Sequence, residues 1–124
     1  MLEMATKTLD RLHKIHLHCF CGNVQQAKEW VDAFPNLKIG LTNLVSSKSV
    51  EDLRTAATKI PLDYLLLETD APYMIPRNVK KYPAKFTHPG MSFNVAVVLA
   101  ELKGVTLNEV VTKTTANAQF IYGI

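Results

Sequence analysis

Hydrophobic and polar positions alternate along the chain with periods that mark out a succession of short elements. Leu2, Ala5, Leu9 and Leu12 fall on one stripe, which predicts the tail of a helix over residues 1–12. Residues 15–19 read as a short strand. Asn23 then caps a helix whose apolar positions, Val24, Ala27, Trp30, Val31 and Phe34, keep close to a 3.6-residue period. Pro35 and Asn36 break it, and residues 37–41 form a second strand. Ser49 and Asp52 resemble a capping box, with aspartate in the usual glutamate position, opening a helix that carries Leu53, Ala56, Ala57 and Ile60 and stops at Pro61. Residues 64–67 are a third strand, whose leucines Leu65, Leu66 and Leu67 predict burial on both faces. Two helices close the chain. One spans Ser92–Lys103 and is ended by Gly104. The other covers residues 107–117 behind a capping box of Thr106 and Glu109.

Strands that alternate with helices argue for parallel βαβ units. His18 and Asp70 each sit at a predicted strand end and lie 52 residues apart, or two units of about 26 residues, the unit length of a (β/α)₈ barrel. Three strands cannot close such a barrel. The expected fold is α/β: about three parallel strands with flanking helices, forming residues 1–124 as one partial domain, the C-terminal part of a (β/α)₈ TIM barrel. The missing barrel half, or self-association, is needed to close it. Between the third strand and the last helices, residues 72–90 hold Pro72, Pro76, Pro83 and Pro89, four of the six prolines. A connection this long in a compact domain is usually functional or disordered.

The 124 residues are 48% hydrophobic and 20% charged, which suits a folded chain rather than a disordered one. The net charge of +3 is compatible with an anionic substrate, although the lysines are scattered. No apolar run approaches the ~20 residues of a membrane span, and the N-terminus carries no apolar core of a signal peptide. Cys19 and Cys21 share a strand face and are poorly placed to bridge each other, so free thiols in a reducing, intracellular compartment, cytoplasmic or nuclear, are expected.

Ligands gather where parallel strands end. His18 ends the first strand, where a neutral imidazole can bind zinc, manganese or a similar cation, or can be satisfied by a backbone carbonyl. His16 shares its face and is either a second ligand or a barrel-interior residue; His13 reads as surface. Asp70 ends the third strand, where it can bind metal and accept a proton from water, or cap the turn before Pro72. Glu68 can take part in the site or pair with a base inside the barrel. Arg77, Lys80, Lys81 and Lys85, interleaved with Tyr73 and Tyr82, give the proline-rich loop a composition suited to phosphate and stacked bases, or to a solvated loop. Cys19 and Cys21 supply too few ligands for structural zinc.

Together, Ile15-His16-Leu17-His18-Cys19-Phe20-Cys21-Gly22, Leu67-Glu68-Thr69-Asp70-Ala71-Pro72-Tyr73 and the tail from His88-Pro89-Gly90 through Asn117 to Tyr122 resemble the TatD family of metal-dependent nucleases. The resemblance runs from Ile15 to the end of the chain, and its first and last segments are similar to those of an animal branch of the family. It implies a barrel that hydrolyses phosphodiester bonds of DNA or RNA with one or two divalent cations, Mg, Mn or Zn. It implies that His18 is the metal-binding histidine of the sixth strand and that Asp70 is the metal-binding aspartate of the eighth; Asp70 is also the residue expected to accept the proton of metal-bound water. Arg77 is expected to assist at the substrate. The family's other ligands, a first-strand His-x-His, a fourth-strand glutamate and a fifth-strand histidine, belong to strands expected to lie upstream of this chain. Cys21 stands where relatives carry a small hydroxyl residue, and His88 where many carry asparagine. Two alternatives differ in class: a non-catalytic truncated half-barrel or binding module that lacks the remaining ligands, and a wider amidohydrolase-type enzyme acting on an amide or ester.

Overall fold

The computed structural model describes residues 1–79 and 85–124. Helix α1 (Leu2–Thr8) leads to strand β1 (His16–Leu17), α2 (Val24–Ala33), β2 (Lys38–Leu41), α3 (Glu51–Lys59), β3 (Leu65–Leu67), α4 (Ser92–Lys103) and α5 (Leu107–Tyr122). The strands form one parallel sheet in the order β1-β2-β3, with His16 opposite Lys38 and Ile39 opposite Leu65. The register sorts side chains onto two faces, because strand residues alternate. One face carries Leu17, Ile39, Leu41, Leu65 and Leu67. These join Ala27, Phe34, Leu53, Ala56, Val95, Leu99 and Val110 of the helices in the apolar core. The opposite face carries His16, Lys38, Gly40, Leu66 and Glu68, and none of these joins that core.

Capping follows the sequence at α2, where Asn23 Oδ1 accepts from the Gln26 N–H at 3.0 Å and Gln26 Oε1 accepts from the Asn23 N–H, a reciprocal pair. It departs at α3. Ser49 pairs with Ser47 at 2.8 Å instead, and α3 begins after Val50 with no side-chain cap. At α5 only half of the predicted box forms: Thr106 Oγ1 accepts from the Glu109 N–H. Helix α4 ends as expected at Gly104, whose φ of +65° is the left-handed conformation glycine adopts without cost. Helix α5 runs five residues past the predicted end at 117, to the left-handed Gly123. Asn117 does not terminate it, because its amide donates to the carbonyls of Leu62 and Leu65 at 2.7 and 2.8 Å, tying the helix to β3. Helix α1 is shorter than predicted, and Leu12 lies exposed beyond it.

Candidate metal centre

Strand β1 is only two residues long because the chain turns away at Cys19, whose φ of +48° is left-handed. A non-glycine residue there is strained and persists only where its surroundings hold it. The Cys19 N–H is held by Glu68 Oε2 at 2.9 Å, and the Phe20 N–H by the Gly40 carbonyl at 2.9 Å. The turn swings His18 out over the end of the sheet. Its ring lies 5.9 Å from that of His16, centroid to centroid, nearly perpendicular to it.

The ends of β1 and β3 thus converge on one cluster. His18 Nδ1 lies 3.1 Å from Glu68 Oε2, and His18 Nε2 lies 3.2 Å from Asp70 Oδ1. His16 Nε2 and Glu68 Oε1 are in ion-pair contact, and neither atom has a hydrogen-bond partner among the described residues. His16, His18 and Glu68 each offer a ligand atom within 4.8 Å of one another. The His18 side chain is 63% exposed and that of Glu68 only 7%, so Glu68 sits beneath His18 while Asp70 flanks it at the surface.

The charges of the cluster depend on one another. Burial pushes the Glu68 carboxyl up, but hydrogen bonds from His16, the Cys19 N–H and His18 outweigh it and hold the group below its ordinary value. The hydrogen bond and charge of Glu68, with a smaller contribution from Asp70, raise the His18 imidazole above its ordinary value. Burial, with the hydrogen bond and charge of Asp70 behind it, pushes the Cys19 thiol up to about 11. Cys19 is therefore a neutral thiol in this pocket and is not poised as a nucleophile. Neither cysteine is in a disulfide, as the sequence predicts.

The donor set fits a divalent cation. An ionised Glu68 has no proton, so a neutral His18 must donate to it from Nδ1. As an imidazolium, His18 donates to Asp70 from Nε2 as well; as a neutral ring, it turns the Nε2 lone pair toward the Asp70 carboxylate 3.2 Å away, and a cation between the two would offset their repulsion. With metal–ligand bonds of about 2.0–2.2 Å, two neighbouring ligands of one cation stand roughly 2.8–3.6 Å apart, from octahedral to tetrahedral angles. A carboxylate behind a histidine in this way would orient the ring were it to bind a metal.

Arg77 stands apart from this cluster. Its backbone N–H donates to Ser46 Oγ at 2.8 Å, and it lines a groove of about 590 Å³ with Asn43, Tyr73, Lys85 and Pro72. The groove reaches Pro72, two residues beyond Asp70. Asn94 secures its far wall, donating to Asn43 and to Asn78, each at 3.0 Å. Lys80, Lys81 and Tyr82 lie outside the described residues. His88 accepts from the Gly90 N–H and caps the turn Pro89–Met91.

Sequence reasoning left Glu68 and His16 open and passed over two residues. A Cβ on Gly40 would fall on the Glu68 carboxylate, so the strand must carry glycine there. Tyr122, at the end of α5, places its hydroxyl 2.5 Å from His16 Nδ1. The Gly in Lys38-Ile39-Gly40-Leu41 is the only local signal of the first, since a strand glycine often marks close approach. The second has none.

These features define a class: an α/β barrel segment with a cation-type donor set at the carboxyl ends of its strands. The chain matches the family model described as "TatD related DNase" over residues 1–123, and it belongs to that family. It is similar to the human 3'-5' RNA nuclease TATDN2, at 32% identity over all of this chain and 16% of that protein. It is also similar to the Escherichia coli K12 protein described as "Uncharacterized metal-dependent hydrolase YcfH", at 36% identity over 87% of this chain and 39% of that one. The crystal structure of the TatD homologue YJJV from Escherichia coli K12 superposes with a TM-score of 0.80 at 28% identity, covering 99% of this chain and 44% of that chain. The α/β barrel architecture expected from the sequence is therefore the fold, and the chain spans less than half the length of these relatives. No helix among the described residues is long and apolar enough to cross a membrane.

Proposed function

We propose that the chain is the metal-binding, C-terminal part of an intracellular phosphodiester hydrolase that cuts DNA or RNA. The observation that carries this reading is the 3.2 Å approach of His18 Nε2 to Asp70 Oδ1, with Glu68 behind the histidine. The names of the relatives support the reaction class and the need for a metal. His18 and Asp70 would hold a divalent cation, Mg, Mn or Zn. Such a cation supplies Lewis-acid charge for the attack of water on phosphorus. Asp70, whose carboxylate also takes a hydrogen bond from the Cys19 thiol, would accept the proton of the attacking water. Glu68 fixes the His18 ring so that Nε2 faces outward. Arg77 and Lys85, on the groove beside Asp70, can neutralise the phosphates of a bound strand, and Tyr73 offers a ring for a base.

A second reading is favoured by length. The described strands leave the face bearing His16, Lys38 and Glu68 without the remaining strands of a barrel, and upstream strands or a second copy would have to supply the other ligands. The isolated chain would then bind metal without turnover.

One set of assays separates the two. The chain and the longest product of its gene are given end-labelled single-stranded DNA and RNA with Mg²⁺, Mn²⁺ or Zn²⁺. Under the first reading Asp70→Asn lowers cleavage by about 10²–10⁴-fold, the range for losing a proton acceptor. Under the second the longer product cuts and the chain alone does not. Intact substrate with both proteins and all three metals overturns the hydrolase reading.

A further inference from the structure

We propose that Asn94 is a positioning residue for nucleic-acid binding: through Asn78 it holds the segment that carries Arg77, so that the guanidinium stands ready in the groove beside Asp70. This rests on the proposed reading of that groove as the seat of a bound strand. Asn94 lies on α4, is buried at 8% exposure, and does not itself line the groove.

Three links tie the segment from Met74 to Asn78 to the chain just after β2. Thr42 Oγ1 donates to Met74 Sδ at 3.2 Å. The Arg77 N–H donates to Ser46 Oγ at 2.8 Å, and the Ser46 hydroxyl donates in turn to the Asn43 carbonyl at 2.6 Å, which leaves its lone pairs for Arg77. Asn94 and Asn78 exchange amide bonds, Nδ2 to Oδ1 at 3.0 Å in one direction and 3.2 Å in the other. Asn94 Nδ2 also donates to Asn43 Oδ1 at 3.0 Å. Arg77 is thus held on both sides, by its own N–H and through its neighbour's side chain. Both paths end on Asn43, which is 1% exposed.

The segment needs these links. Met74 has a φ of +57°, a left-handed conformation that a non-glycine residue keeps only where its surroundings hold it. Arg77 and Asn78 are exposed, so directed hydrogen bonds rather than apolar burial set where they stand. A primary amide has two donor hydrogens and an oxygen that accepts, so Asn94 can serve Asn43 and Asn78 at once, which an apolar side chain cannot. The Arg77 guanidinium makes no hydrogen bond or ion pair with a described residue, and it lines the groove with Tyr73 and Lys85. A phosphate that meets an arginine already in place does not have to order the segment as it binds. The apparent Kd rises in proportion as the fraction of chains with Arg77 in place falls.

Asn94→Leu keeps the size of the side chain and removes its bonds. Asn78→Ala cuts the same link from the exposed side, where the fold has little to lose. Both are made in the full chain and in the longest product of its gene, alone and together with Arg77→Ala. Fluorescence anisotropy reads the binding of labelled oligodeoxythymidine and oligouridine across a range of salt, and hydrogen exchange reads the Arg77 amide of the free protein. Arg77→Ala is expected to weaken binding about 10-fold, the low end for losing a hydrogen bond to a charged group, and to flatten the salt slope by about 0.7. Asn94→Leu and Asn78→Ala each speed exchange of the Arg77 amide. Each weakens binding about 3- to 10-fold, as for Arg77 in place in about a third to a tenth of chains. Neither adds to the loss already caused by Arg77→Ala, whereas a structural role would lower affinity equally with and without Arg77. Asn23→Ala, at the distant cap of α2, leaves strand affinity unchanged. Wild-type affinity or wild-type exchange in Asn78→Ala overturns the proposal, as does a loss that persists in full in the Arg77→Ala background. Oligonucleotides that bind neither wild-type protein overturn the reading of the groove, and the proposal with it.

Discussion

The two faces of the sheet are built on opposite terms. The helix-covered face is aliphatic throughout, with Ile39, Leu41 and Leu65 fully buried among helix side chains. The other face places an imidazole, an ammonium, a glycine and a carboxylate along the same strands. Burying apolar area drives the first and needs no particular partner. Burial on the second is a cost that only directed hydrogen bonds offset. Lys38 shows this: its ammonium donates to the Asp63 carbonyl at 2.8 Å and lies over Tyr64 and Phe120. Burial nevertheless pulls its pKa below the ordinary lysine value, against a smaller opposing pull from Asp63. Stability is thus concentrated on one face and chemistry on the other.

The sharpest way to break this contrast is to mutate neighbours in one strand. Ile39→Ala removes a fully buried side chain and is expected to cost about 2–5 kcal/mol in urea unfolding. Lys38→Met, one residue earlier and on the opposite face, should change stability by less than about 1 kcal/mol. The pair also differs in pH dependence. Because the folded pKa of Lys38 is lowered, the unfolded chain binds more protons between the folded and unfolded values. Wild-type stability therefore rises with pH through the alkaline window just below the ordinary lysine pKa, and Lys38→Met lacks that increment. Equal costs for the two substitutions would erase the distinction between the faces.

Gly40→Ala tests the polar face with a single methyl group. Reducing the freedom of the unfolded chain favours alanine by about 0.4–1 kcal/mol, while overpacking costs about 1–3 kcal/mol. Overpacking should win, because Glu68 is held by His16, His18 and the Cys19 N–H and cannot swing aside freely. A net loss of about 1 kcal/mol is expected, with cation affinity reduced about 10-fold as Glu68 is displaced. A more stable variant with unchanged affinity would show that Glu68 is not fixed.

The smallest effect belongs to the helices over the apolar face. Asn23→Ala removes the reciprocal cap of α2 and should cost about 1 kcal/mol by thermal unfolding. Ser49→Ala, at the box the sequence suggests but α3 does not use, should be neutral. Similar losses from both would mean that Ser49 caps in solution.

What the sequence by itself determined is what local periodicity and strand ends encode. The order of elements, the parallel sheet and the apolar face follow from spacing, because a residue's face in a strand or helix is a matter of counting. His18 and Asp70 are legible for the same reason, since both end strands and strand ends of a parallel sheet lie together. Gly104 stops α4 through its own backbone freedom, which needs no neighbour. What only tertiary structure decided depends on partners distant in the chain. The Ser49-Asp52 pattern is unused because Ser47 offers a nearer bond, and α5 outlasts its predicted end because Asn117 bonds β3 carbonyls instead of capping its own helix. Glu68 is committed to His16, His18 and the Cys19 backbone only once β1 and β3 flank the glycine of β2. Tyr122 reaches His16 only when a helix more than a hundred residues downstream has docked. Hydrogen bonds are directional and short, so which donor meets which acceptor is fixed by docking geometry, whereas hydrophobic burial is tolerant enough for pattern alone to set it.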